Sequence, residues 1–414
     1  MALIIYDQLQ NSLYLLRHNA IEMISIEKAI ELVKLKSEPL LKETIKPTEK
    51  AGGYLLYRDI VSPVNMPPFR QSAVDGYALN MHDSLSYKLI GEIKAGDAHQ
   101  PNLKPGEAVR IFTGAAVPDS ANAVMMQEKV EVNYKSIKIA HQIPVECNIR
   151  PMAEQVKKGN IALKKGTALT PAAIGYLSSL GITRIPVYQK PSIALITTGN
   201  ELIEPGKDLK YGQIYESNSK MLLSALYSLK FYDVTIEKVE DDYNKTVSEL
   251  SAAISKNDLV IITGGISVGD YDYVGKALSE LQVEELFYKV KQKPGKPLFY
   301  GKKGKTNIFA LPGNPAAALS CFYLYVYIAL QNMMDRKENE LPRVSAKSLT
   351  DFEKKGDRPQ FLKAIYENGK VEILEGQSSA MQQTFALSNA LVYAPETLSS
   401  INVNDAVETI LLPV

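Results

Sequence analysis

From Pro191 to about Leu330 this chain alternates continuous apolar runs with stretches of helical period. LVIIT (259–263) is apolar without alternation and rich in β-branched residues, which predicts a strand buried on both faces, as in a parallel sheet. SIALITTGNEL (192–202) and NIFALPGNP (307–315) begin in the same way. NSKMLLSALYSL, TVSELSAAIS and YVGKALSEL between them have helical spacing, and YDVTIEKVEDD reads as a further strand. Strands alternating with helices are the signature of an α/β domain. Pro312-Gly313-Asn314-Pro315 then opens a long apolar helix, with Asn314 as N-cap and Pro315 at the first helical position.

Elsewhere the pattern is one of short strands. YKLIGEI, AVRIFTG, AVMMQEKVEV and SIKIA, separated by glycine, proline and asparagine breaks, predict a small barrel-like β domain before residue 144. RVSAKSL, QFLKAIYE, KVEILE, ALVYAP and AVETILL predict a second one at the end of the chain, with Ser378 and Ser379 in a loop between two strands. Two amphipathic helices are expected outside the α/β region, one capped by Ser25 and one by Thr170 with Pro171 following. VSPVNMPPFRQSAVDGYAL is too rich in proline for regular structure and leads stiffly into Asp75 at a turn. The expected division is an N-terminal extension (1–23), an elongated discontinuous segment (24–62 and 145–188), an inserted small β domain (63–144), an α/β domain (189–340) and a C-terminal β domain (341–414). The fold class is therefore multidomain: a three-layer α/β domain with a mostly parallel sheet, plus two small β domains, the last barrel-like.

Composition narrows the function. The 414 residues carry 47 Lys plus Arg against 46 Asp plus Glu, which argues against a general affinity for nucleic acid or membrane. No apolar stretch reads as reaching the roughly 18 residues of a membrane span, and the first 20 residues have no basic n-region. Cys147 and Cys321 have no metal spacing and point to a reducing cytoplasm. The four histidines stand in unrelated contexts, so histidine chemistry is not expected.

The candidate chemistry collects where strands end. In an open parallel sheet the ligand lies beyond the carboxyl ends of the strands, and three successive strands finish there in polar or acidic residues: Thr197–Glu201, Asp241–Asp242 and Thr263–Asp272. Gly264, Gly265 and Gly269, with Ser267, would let backbone N–H groups approach an anion beside a helix N-terminus. Carboxylates beside an anion site call for a hard cation such as Mg²⁺. Lys289, Lys293 and Lys296 stand about a Pro-Gly turn, and the prolines of Lys293-Pro-Gly-Lys296-Pro restrain the lysines for an oxyanion role. Each motif alone has a plain structural reading; their convergence is what points to a site.

Taken in order, PPFRQSAVDGYAL, FTGAAVPDSANAVMMQE, TTGNELIEPG with GQIYESNS, TGGISVGDYDY, KPGKPLFYG and LPGNPAAAL resemble the MoeA-type molybdopterin molybdenumtransferases, the family of the gephyrin E-domain. The resemblance runs from about Ile24 to the end. It implies an elongated homodimer with a cleft between subunits, in which molybdate is inserted into adenylated molybdopterin with Mg²⁺ and AMP is released. It further implies contact with the adenylyltransferase that makes the substrate. By motif, Asp75 and Thr113 would serve from the β domain, while Glu201, Asp241 and Asp272 would hold Mg²⁺ and orient the phosphate. Lys289, Lys293 and Lys296 would bind molybdate or phosphate oxygens. Gly264, Gly265, Ser267, Gly269, Pro312, Gly313, Asn314, Ser378, Ser379 and Arg150 would contact substrate. The chain departs from the family pattern at Ala153-Glu154-Gln155, where Gly-Glu-Asp is usual, at Arg70-Gln71, and at Asn200, where Asp is frequent. Alternatives left open are an adenylyltransferase-like activity, a gephyrin-like scaffold, and tungstate in place of molybdate.

Overall fold

The computed structural model describes residues 23–266 and 273–414. It forms two compact units, one spanning Glu43–Tyr188 and one joining the residues up to Lys42 with Gln189–Val414. Ser267, Gly269 and Asp272 lie outside the described residues.

The larger unit is built on a six-stranded sheet: β1 (Ile193–Thr198), β2 (Val234–Val239), β3 (Leu259–Thr263), β4 (Glu284–Lys289), β5 (Pro297–Lys303) and β6 (Thr306–Leu311), in the order β2-β1-β3-β6-β5-β4. Only β5 runs against the others. Every residue of β1, β3 and β6 is buried, and the alternation of side chains across a strand explains why. Leu195, Ile261 and Phe309 enter one apolar cluster, with the helices α1 (Ile26–Lys36), α2 (Asn218–Ser228) and α5 (Pro315–Met333). Their neighbours Ile196, Ile262 and Ala310 enter a second, under α3 (Tyr243–Lys256) and α4 (Tyr273–Glu280). Helices on both faces give the continuous apolar runs their reason.

Three details differ from expectation. Helix α5 is, by length and composition, long and apolar enough to cross a membrane, yet 83% of its apolar window is buried, so its hydrophobicity serves the core. Asn314 stands at its N-cap position without a side-chain capping bond, and its side-chain amide donates to Ser379. Residues 24–42, grouped by sequence with the elongated segment, pack here: Ala29 and Val33 are fully buried in the α5 cluster. Ser25 caps α1 as anticipated, accepting from the Lys28 N–H at 3.2 Å.

Beyond α5, strands Arg343–Ser348, Lys370–Ile373, Gln360–Glu367, Ala390–Ala394 and Ala406–Leu411 pair in that order and close into a small barrel. Within the unit, Lys293 joins this barrel to the sheet: its N–H donates to the Pro359 carbonyl and its carbonyl accepts from Phe361 N–H, both at 2.9 Å.

The second unit carries its own six-stranded sheet, with Ala123–Met126 and Val130–Asn133 at opposite edges. The single strand expected over AVMMQEKVEV is broken by a 3₁₀ turn at Gln127–Lys129. Four residue steps span at most about 14 Å, so the sheet curls until its edges approach, yet the edges do not pair. Barrel-like curvature is present; closure is not. The rest is an antiparallel track of Glu43–Pro47 with Arg184–Tyr188, Ile60–Val61 with Ile161–Leu163, and Gln71–Ser72 with Ile149–Arg150. Thr170 caps the helix Pro171–Ser179, accepting from Ala173 N–H at 3.2 Å.

Candidate functional site

From β1 the chain passes to β2 on one flank, then returns to β3 on the other. That reversal leaves a crevice beyond the carboxyl ends of β1 and β3, the usual place for a ligand in such a sheet. A cavity of about 790 Å³ opens there, within the range of small-molecule sites.

One wall is acidic. Glu201 follows β1, and its carboxylate folds back over Gly199, where a methyl group would sit 2.7 Å from both of its oxygens. Asp241 follows β2 and is clasped by Asn200: the Asn200 N–H donates to Asp241 Oδ2 at 3.0 Å, and the Asp241 N–H donates to Asn200 Oδ1 at 3.1 Å. Adjacent Asp242 does a different task, capping α3 through the Lys245 N–H at 2.8 Å. Glu201 and Asp241 both line the cavity.

The floor is backbone. Gly264 has φ +86° and approaches β1 so closely that a methyl would lie 2.7 Å from the Thr198 carbonyl oxygen. Gly265, Pro312, Gly313 and Asn314 continue this surface. Asn314 Nδ2 donates to Ser379 Oγ at 3.1 Å, bringing the 376–381 loop to the rim. That loop is held from beneath by Lys363, only 4% exposed, whose ammonium donates to the carbonyls of Gly376, Ser378 and Met381 at 2.8–3.1 Å. Burial holds the Lys363 pKa below the ordinary lysine value.

The opposite wall is cationic. Lys289 ends β4 and Lys296 precedes β5, and both line the cavity. Burial first, and the neighbouring Lys296 charge second, hold Lys289 below the ordinary lysine pKa. Lys291 turns away to pair with Glu396 at 2.6 Å, and Lys293 is not among the cavity-lining residues.

Two further polar atoms face the cavity, one on Thr198, within the strand-end stretch singled out by sequence, and one on Asn218, which sequence did not single out. Thr198 Oγ1 and Asn218 Oδ1 are buried without a hydrogen-bond partner among the described residues, and both residues line the cavity. Asn218 Nδ2 donates to the Gly313 carbonyl at 2.8 Å, which leaves Oδ1 as an acceptor for a ligand. The available signals were a hydroxyl at the end of a buried strand and an amide at a helix start. Both are ordinary capping patterns. Among the described residues no three Asp, Glu, His or Cys side chains gather as a metal cluster. Glu201, Asp241 and the Thr198 hydroxyl nevertheless supply hard oxygen donors of the kind Mg²⁺ takes.

In the second unit, Thr113 donates to Asp75 Oδ1 twice, from its N–H and its hydroxyl, each at 2.8 Å. These bonds, helped by the Arg110 charge, hold the exposed Asp75 carboxyl below its usual pKa. Arg150 is exposed on the short strand paired with Gln71–Ser72, whose other side bonds to Gly114 and Ala115. Asp75 and Thr113 therefore belong to bonded loops, and Arg150 to a short strand, of the same unit.

Residues 24–181 match the family model of the MoeA N-terminal region (domain I and II), 194–332 that of a probable molybdopterin binding domain, and 345–412 that of the MoeA C-terminal region (domain IV). The molybdopterin molybdenumtransferase of Haemophilus influenzae is 34% identical over 369 residues, covering 87% of this chain and 91% of the relative. That of Staphylococcus epidermidis is 31% identical over 401 residues, covering 94% and 95%. The crystal structure of a molybdopterin biosynthesis MoeA protein from Pyrococcus horikoshii OT3 superposes with a TM-score of 0.80 at 30% identity, covering 94% of this chain and 100% of that one.

Proposed function

The chain belongs to the MoeA family of molybdopterin molybdenumtransferases, and from that premise we propose that it inserts molybdate into adenylated molybdopterin and releases AMP. The observation that carries this reading is a single cavity with carboxylates on one wall, Glu201 and Asp241, and lysines on the other, Lys289 and Lys296. Bringing an oxyanion to a dithiolene sets like charges together, so cations must offset them. Lys289 and Lys296 supply fixed positive charge for oxyanion oxygens. The Gly264–Gly265 backbone and the start of α5 at Gly313–Asn314 accept the phosphate or pterin portion at close range. Glu201 and Asp241, with Asp272, would hold Mg²⁺, which when bound polarises the phosphate for cleavage. No protein nucleophile is needed.

The reading extends to a homodimer in the cytoplasm, with the Asp75–Thr113 loop serving a partner's cavity, and to contact with the adenylyltransferase of the pathway. Two free cysteines support the reducing compartment. The borders of the α/β domain near 189 and 340 are likewise our proposal, supported by family-model boundaries at 181/194 and 332/345, whereas residues 24–42 group with the α/β unit. The test is AMP release from adenylated molybdopterin in Mg²⁺ with and without molybdate. Release that depends on molybdate and falls at least about a hundredfold in Glu201→Gln and Lys296→Ala is expected, as for loss of transition-state charge stabilisation. Unchanged release in both variants would overturn the assignment of this cavity.

A further inference from the structure

The turn that presents Lys296 is held from below by a buried amide. Gln292 is fully buried. Its Nε2 donates to the Gly295 carbonyl at 3.1 Å and to Cys321 Sγ at 3.6 Å, and its Oε1 accepts from the Tyr325 hydroxyl. Its own carbonyl accepts from Arg358 at 3.1 Å. The side-chain amide thus has a partner for both its donor and its acceptor end, although it stands in sequence between two charged residues, Lys291 and Lys293. Cys321 and Tyr325 both come from α5, where residues Phe322–Val326 form a π turn; such turns recur at functional sites. Gly295, at φ +85°, lies so close to this helix that a methyl would sit 2.4 Å from Cys321 Sγ and 2.9 Å from Gln292 Nε2. Burial pushes the Cys321 thiol up to about 12, so it remains neutral beneath the turn.

We infer that Gln292 is a positioning residue: anchored by Tyr325 and Cys321, it clamps the Gly295 carbonyl and so fixes Lys296 at the oxyanion wall of the cavity. The other end of the turn is closed by the Val290 N–H on the Lys296 carbonyl at 3.0 Å. Lysine carries high rotamer entropy, so charge placed on a floating turn would bind an oxyanion weakly. The inference rests on the oxyanion reading of this site, and its test separates the two.

Gln292→Leu strands the Tyr325 hydroxyl and leaves the Gly295 carbonyl with only the long Cys321 thiol contact at 3.9 Å. Gln292→Leu/Tyr325→Phe removes both buried partners, which restores stability, but leaves the carbonyl without its amide clamp, held only by the long thiol contact. The expected result is a KM for molybdate raised about tenfold in both variants, the loss one net hydrogen bond can cause, with kcat little changed. The thermal midpoint should fall in the single variant and recover in the double one. If KM recovers together with the midpoint, Gln292 serves core stability only and the inference fails. Should the unaltered protein show no molybdate-dependent turnover, the functional reading fails, and hydrogen exchange of residues 290–297 decides the clamp alone. Faster exchange there in the refolded-core double variant upholds it; unchanged exchange overturns it.

Discussion

Gly264→Ala tests whether the cavity floor depends on a backbone approach that no side chain allows. A methyl at this position meets the Thr198 carbonyl oxygen at 2.7 Å, with Thr198 Oγ1 at 3.1 Å, while the backbone stays at φ +86°. The left-handed conformation costs about 1–2 kcal/mol for a residue with a Cβ. Overpacking a buried strand pair adds about 1–3 kcal/mol, since the obstacle is backbone of β1 and not a flexible side chain. Replacing glycine offsets about 0.4–1 kcal/mol by restricting the unfolded chain. The net loss is about 3 kcal/mol, or roughly 6–12 °C in the calorimetric transition of a unit this size. Gly313→Ala is the matched control. Its methyl would make only an ordinary contact, 3.7 Å from Gly264 Cα, so the midpoint should hold within about 0.5 kcal/mol. That methyl nevertheless lands on the cavity floor, and AMP binding by titration calorimetry should weaken severalfold. Equal midpoints for the two variants, or unaltered AMP binding by Gly313→Ala, would refute the reasoning.

Thr113→Val removes one of two bonds to Asp75, so the Asp75 carboxyl should titrate higher by NMR; an unmoved titration would show that the hydroxyl is not a cause. Because Asp75 is depressed in the folded state, its stabilisation is present above the unfolded pKa and is lost as pH falls through the folded value. Lys363 is the opposite case: its folded pKa is lowered, so between that value and about 10.4 the unfolded chain binds more protons and stability should rise with pH. Lys363→Met should reduce that slope in urea midpoints, leaving the part due to Lys289, and loosen the 376–381 loop; an identical slope would sink the assignment. Lys291→Ala breaks a partly exposed pair with Glu396 and should cost at most about 1 kcal/mol, with KM for molybdate unchanged; a large rise in KM would place Lys291 in the site after all.

The parallel core was legible because burial on two faces leaves a one-dimensional mark: LVIIT carries no charge and a single hydroxyl, Thr263 at its end, and the alternation of Ile261 and Ile262 between two apolar clusters follows once the strand is known. The ends of strands were legible as a group for the same reason, since polar residues that follow a buried run must sit at a rim. Lysine roles were harder to read. Period-two alternation puts Lys289, Lys291 and Lys293 on one side, but β4 stops at Lys289, and the turn sends Lys291 to Glu396 and Lys296 to the cavity. Gln292 was invisible, because burial of an amide depends on a tyrosine 33 residues away.

Asn200 shows where such reading stops and structure must take over. At the sequence level it is a missing carboxylate, a departure that subtracts charge from the acidic wall. In the fold its side-chain oxygen accepts the Asp241 N–H, while its own N–H holds Asp241 Oδ2. Both bonds use acceptor oxygens, so asparagine and aspartate would hold Asp241 in place equally well. They differ in charge: aspartate would put a like charge beside Asp241. The departure therefore preserves the geometry of the acidic wall and lowers its charge. Asn200→Asp should leave the thermal midpoint unchanged within about 0.5 kcal/mol and tighten the response of AMP release to Mg²⁺ concentration. An unchanged Mg²⁺ response would mean that Asp241 acts outside the reach of its clasp partner.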